Sequence, residues 1–131
     1  MITIWDLIAK EIPDETILRA FDQMIFALNS KIKGIYWVKE LRRPRDGVPA
    51  WGLLGGTEIS EIYVSVRCDK EEAIKTLIHE LTHYLFDYLN DATSEKLVRQ
   101  IERLLWRRFS EQQRELLWDY LVRAPTIEKY E

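Results

Sequence analysis

Apolar residues recur at helical spacing from Asp14 onward, where Ile17, Phe21, Met24, Ile25, Leu28 and Ile32 fall on one face until Gly34 stops the run. Pro13 and Asp14 open that helix, as expected of a first turn. Ahead of it, residues 2–12 read as a short helix, with Thr3 as cap, Asp6 three residues on, and Ile2 and Leu7 as a hydrophobic staple, although a strand also fits. The period then changes. Ile35 to Leu41 is β-branched and aromatic, which predicts a strand, and Arg42 to Pro49 is a loop rich in breakers. Ala50–Leu54 and Thr57–Val66 predict a hairpin about Gly55 and Gly56, and the alternation over Glu58–Ser65 is that of a half-buried or edge strand.

Helical spacing returns after Asp69, a candidate N-cap with Glu71 and Glu72 in the first turn. This helix should run to about Leu89, with Ala73, Leu77, Leu81, Tyr84, Leu85 and Tyr88 on the core side. Asn90 to Ser94 interrupts the pattern. A further helix is expected from Ser94 or Glu95 to Phe109, with Leu97, Val98, Ile101, Leu104 and Leu105 as its stripe. The capping-box run Ser110–Gln113 starts a last helix that buries Leu116, Leu117, Tyr120 and Leu121 and ends before Ala124–Pro125. These elements predict one α+β domain over residues 1–131, a small twisted sheet packed on helices.

Composition narrows the function classes. A 131-residue chain is long enough to bury roughly two-thirds of its unfolded surface in one core. With 19 Lys plus Arg against 22 Asp plus Glu, its net charge of −3 gives no general attraction to nucleic acid or to an anionic membrane. Arg42, Arg43 and Arg45 in the loop, with Arg107 and Arg108, are the basic residues a phosphate partner would need, but a solvated loop is the simpler account. The start carries no signal-peptide pattern and no stretch approaches the length of a membrane span, so a soluble cytoplasmic protein is expected. The single cysteine, Cys68, excludes an internal disulfide framework.

The chemistry is concentrated in His79-Glu80-Leu-Thr-His83, an H-E-x-x-H pattern inside the helix that follows Asp69. At about 100° per residue, His83 lies about 40° round from His79 and Glu80 about 100° round, so all three project to one side. Two neutral imidazoles on one face can converge on a zinc ion, and the glutamate between them can reach a water there. A solvated helix face that happens to hold two histidines is the plain alternative. Because the chain has only two histidines, a third protein ligand must be Asp, Glu or Cys68. Glu95 and, two turns further on the same flank, Glu102 are candidates on the next helix. Asp87, one turn past His83, could bind or order an imidazole, and Cys68 is a fourth possibility.

Thr76–His83 followed by Ser94-Glu95-Lys-Leu-Val98-Arg-Gln-Ile101 resembles small gluzincin-type zinc metallopeptidases, the minigluzincins and phage proteins akin to the ImmA/IrrE peptidases, over about residues 57–109. The resemblance implies a zincin-like fold, Zn2+ held by His79, His83 and Glu95, Glu80 as general base, and a peptide or protein substrate. A substrate laid along the 58–66 strand and an oxyanion donor among Tyr63, Tyr84, Tyr120 and Tyr130 or the arginines are further expectations. The same family suggests a latent form inhibited by its own chain; in this sequence a carboxylate of the tail Ile127–Glu131 could take the open position of the metal, and so could the Cys68 thiolate, a good zinc ligand. The rival from another class is a zincin-fold module that binds metal or a protein partner without catalysis.

Overall fold

The computed structural model describes residues 10–56, 59–86 and 95–130. Within them the chain forms α1 (Asp14–Ser30), β1 (Gly34–Glu40), β2 (Gly52–Gly55), β3 (Glu61–Ser65), α2 (Lys70–Leu85), α3 (Glu95–Arg108), α4 (Glu111–Val122) and β4 (Thr126–Lys129). This is an α+β domain, and the helix and hairpin boundaries lie close to those expected from periodicity. The short helix expected over 2–12 falls, apart from its last residues, outside the described residues, as do positions 87–89 of the motif helix. No helix among the described residues is long and apolar enough to cross a membrane.

Local chemistry accounts for where the helices begin. Asp69 accepts from the Glu72 N–H while Glu72 accepts from the Asp69 N–H, and Ser110 and Gln113 do the same at α4. α1 opens at Pro13 without a side-chain cap, and Asp14 and Glu15 complement its N-terminal dipole.

The sheet has the order β2-β3-β1-β4, with β3 antiparallel to β2 and parallel to β1, and β1 parallel to β4. Alternate residues face opposite sides. Ile35, Trp37, Leu54, Ile62 and Val64 join the main core with α1, α2, α3 and α4, while Tyr36, Val38, Leu53, Tyr63, Ile127 and Tyr130 form a smaller cluster on the other face. Two expectations change here. The 58–66 segment is no edge strand: β3 lies between two neighbours, and Ile62 to Ser65 are all buried. Leu97 and Leu116, assigned to apolar stripes, are exposed, because their helices pack through Val98 with Leu105 and through Leu117 with Leu121.

The tail forms β4, which periodicity did not signal because only Ile127 of its four residues is apolar. Its position is set by long-range partners. The Trp37 N–H donates to the Pro125 carbonyl (2.8 Å), and Glu128 pairs with Lys39 (3.0 Å). The Glu128 carboxylate therefore sits on β1 rather than at the histidines, and Glu131 lies outside the described residues.

Candidate metal centre

α2 is the hub of the main core, and its polar side is not left open to solvent. α3 packs against it, leaving Glu80 and His83 only 7% and 8% exposed. The arc opposite the histidines buries Ala73, Leu77 and Leu81 completely. Helical register therefore does two jobs at once: packing of the apolar arc fixes the helix, and that fixes His79, Glu80 and His83 under α3.

Glu95, the first residue of α3, lies across from both imidazoles. Its Oε1 is 2.7 Å from His79 Nε2 and its Oε2 is 2.9 Å from His83 Nε2. One ligand atom from each of the three residues can be chosen so that all lie within 4.8 Å of one another, and the two ring centroids are 4.9 Å apart. Two imidazole nitrogens and a carboxylate that face one another at this range form a group that can hold a metal ion. The chemistry of the donors fits: both histidines turn the same atom, Nε2, toward the shared point. His83 Nδ1 is buried and has no hydrogen-bond partner among the described residues.

The other candidate ligands divide differently. Glu102 Oε1 lies 2.9 Å from His79 Nδ1, on the far edge of the ring from Glu95. Cys68 is buried, with Sγ near the Trp51 carbonyl and Thr76 Oγ1, and burial pushes its thiol up to about 11. It is a packed thiol, not part of the His–Glu group. Asp87 lies outside the described residues.

Electrostatics follow from this packing. Burial opposes charge on His79, but the hydrogen bonds to Glu102 and Glu95 outweigh it and push its pKa up to about 10 in the metal-free site. The hydrogen bonds from His79 and His83 hold the Glu95 carboxyl well below the usual range. Burial pushes Glu80 up to about 7, against the pull of the two histidines.

The sheet contributes an element that motif reading did not single out. A Cβ on Gly52 of β2 would lie 3.1 Å from Glu80 Oε2 and 2.2 Å from Thr76 Cγ2, so only glycine lets this strand run so close to α2. The Ser65 N–H donates to the Trp51 carbonyl (2.8 Å), and Gly52 pairs in register with Val64. In an antiparallel ladder the next residues then turn their N–H and C=O away from the partner, so those of Gly52 and Leu54 point to the open side of β2. Among the described residues no strand pairs there. The one sequence signal was a glycine inside an otherwise strand-like run.

Most of the proposed oxyanion donors are elsewhere. Tyr63 and Tyr130 meet with tilted rings in the cluster on the opposite sheet face, with the Tyr63 hydroxyl donating to Glu61 (2.5 Å), and Tyr120 donates to Asn29 (2.5 Å). In the arginine loop, Arg43 pairs with Asp46 (2.8 Å) and Arg42 donates to the Gly47 carbonyl (3.1 Å). Comparison with known proteins finds no matching family model, no matching curated protein and no matching solved structure.

Proposed function

We propose that this chain is a zinc-dependent peptidase of the gluzincin type, with His79, His83 and Glu95 as metal ligands and Glu80 as general base. The observation that carries the proposal is the convergence of those three donors beside a buried glutamate that forms no salt bridge among the described residues. Nitrogen and carboxylate donors of this kind suit zinc. Bound zinc supplies a Lewis acid that brings the ionisation of water close to pH 7 and polarises a carbonyl.

The protein's own groups then have defined tasks. Glu80, buried beside the two histidines, takes a proton from the attacking water and returns it to the leaving amine. The N–H and C=O groups of Gly52 and Leu54, which no strand among the described residues pairs, hold an extended peptide by main-chain hydrogen bonds, and the closeness of Gly52 to Glu80 Oε2 carries that peptide past the base. Recognition of this kind addresses backbone more than side chains.

Metal content and peptide cleavage, measured together, test the proposal. Wild type is expected to retain about one zinc per chain, Glu95→Gln to lose it, and Glu80→Gln to keep it while losing cleavage of a mixed peptide pool. Wild type that takes up no zinc when it is supplied refutes the metal centre. A second reading, a zincin-like module that holds metal without catalysis, draws on the placement of Tyr63, Tyr120 and Tyr130 away from the histidines. Zinc retained with no cleavage in wild type selects it.

A further inference from the structure

We infer that Glu102 is the positioning residue of this centre, holding the Nδ1 proton of His79 so that Nε2 is presented to the ion; this rests on the metal reading above. Glu95 and Glu102 are seven residues apart on α3, nearly two full turns, so they share one face and are separated by roughly 10 Å along the axis. The His79 ring lies in that gap. Its Nε2 faces Glu95 at 2.7 Å and its Nδ1 faces Glu102 at 2.9 Å.

The two ring nitrogens point in widely divergent directions. A group bonded at Nδ1 is therefore turned away from an ion at Nε2, and Glu102 cannot also be a ligand of the ion that His79 and His83 share. What it can do is accept. A carboxylate has no proton to offer, so Nδ1 must be the N–H, and when an ion takes the place of the proton between Nε2 and Glu95 the ring is neutral with its lone pair on Nε2. Both residues are substantially buried, with side-chain exposures of 14% for His79 and 20% for Glu102, where a charge-assisted hydrogen bond is strengthened and an unpaired partner is costly. His83 has no equivalent among the described residues, since its Nδ1 is without a partner there. The two histidines are thus unequal: one is held at both nitrogens by a single helix, the other only at Nε2.

The same face of α3 therefore supplies a ligand and, two turns on, the group that orients another ligand. An ordinary buried ion pair would stabilise the fold but would leave metal affinity unaffected once stability is accounted for.

The test is zinc affinity, by chelator competition with zinc alone, for wild type, Glu102→Ala, Glu102→Gln and Glu95→Gln, with imidazole nitrogen NMR of each zinc-loaded protein. Glu102→Ala is expected to weaken zinc by about 10–100-fold. Glu102→Gln, which keeps an acceptor oxygen and the same shape, should recover part of that loss and keep the Nδ1–H tautomer of His79. Glu95→Gln should lose more than either. Glu102→Ala that binds zinc within about twofold of wild type overturns the inference, as does a Glu102→Gln loss as deep as that of Glu95→Gln, which would make Glu102 a ligand. Absence of zinc from wild type refutes the centre itself, and this inference with it.

Discussion

The seat of β2 on α2 provides a prediction that does not depend on any ion. Gly52→Ala places a Cβ 2.2 Å from Thr76 Cγ2, 3.1 Å from Glu80 Oε2 and 3.3 Å from the Tyr63 carbonyl oxygen. Glu80 Oε2 is the end of a flexible side chain and can yield. The Thr76 methyl cannot swing away freely, because Thr76 Oγ1 donates to the Glu72 carbonyl (2.8 Å) and a helical threonine has few χ1 choices. In the backbone alone, alanine for glycine at an ordinary φ gains about 0.4–1 kcal/mol through the unfolded chain. Overpacking costs about 1–3 kcal/mol, so overlap wins and a net loss of roughly 1–2 kcal/mol is expected. With a urea m-value of about 2 kcal/mol/M, the middle of the usual range, the midpoint should fall by about 0.5–1 M at unchanged slope. Gly52→Ala combined with Thr76→Ser, which removes Cγ2 but keeps the hydroxyl, should regain most of the loss, with a coupling energy of about 1 kcal/mol or more. A neutral Gly52→Ala, or a double variant in which the two effects merely add, would refute this account of why glycine stands beside Glu80.

Two other outcomes follow from the same contacts. Removing residues 125–131 should lower the melting temperature by several degrees instead of releasing activity, since it strips β4 from β1, the Trp37–Pro125 hydrogen bond and the Tyr130–Tyr63 contact; unchanged stability with a gain of peptidase activity would restore the self-inhibited reading. In the metal-free protein, stability should fall as pH rises from about 6 to about 10, as followed by urea unfolding in a chelator. His79 has its pKa raised to about 10, so its contribution is complete below the unfolded value of 6.5 and is lost on passing about 10; Glu80, raised to about 7 by burial, loses stability in the same direction between 4.5 and about 7. A flat profile over that range would contradict the ion-pair geometry of the empty centre.

The elements that sequence made legible are those whose signals are local. The Asp69–Glu72 and Ser110–Gln113 capping boxes, the apolar spacing of α1, and the glycines at 55 and 56 each act within a few residues, so the chain declares them without reference to its fold. The H-E-x-x-H pattern belongs with them, because register on one helix sets the directions of His79, Glu80 and His83. β4 was illegible for the opposite reason. Four mostly polar residues become a strand only because β1 offers an edge and Trp37 an N–H. The strand over 61–65 was identified as a strand but expected to be half-buried or at an edge, whereas it is interior, since alternation does not report which backbone groups already have a partner.

The division is clearest at the centre itself. By itself the sequence determined that two imidazoles and a glutamate share a helix face, and it limited the third donor to a few residues. Only the tertiary structure separated Glu95 from Glu102, because both occupy the same flank of α3 and differ by two turns along it. Spacing along a helix fixes the direction in which a side chain leaves. Which nitrogen of His79 that side chain meets depends on how far α3 is shifted along α2, and that shift is set by packing of Val98 and Leu105 into a core assembled from the whole chain.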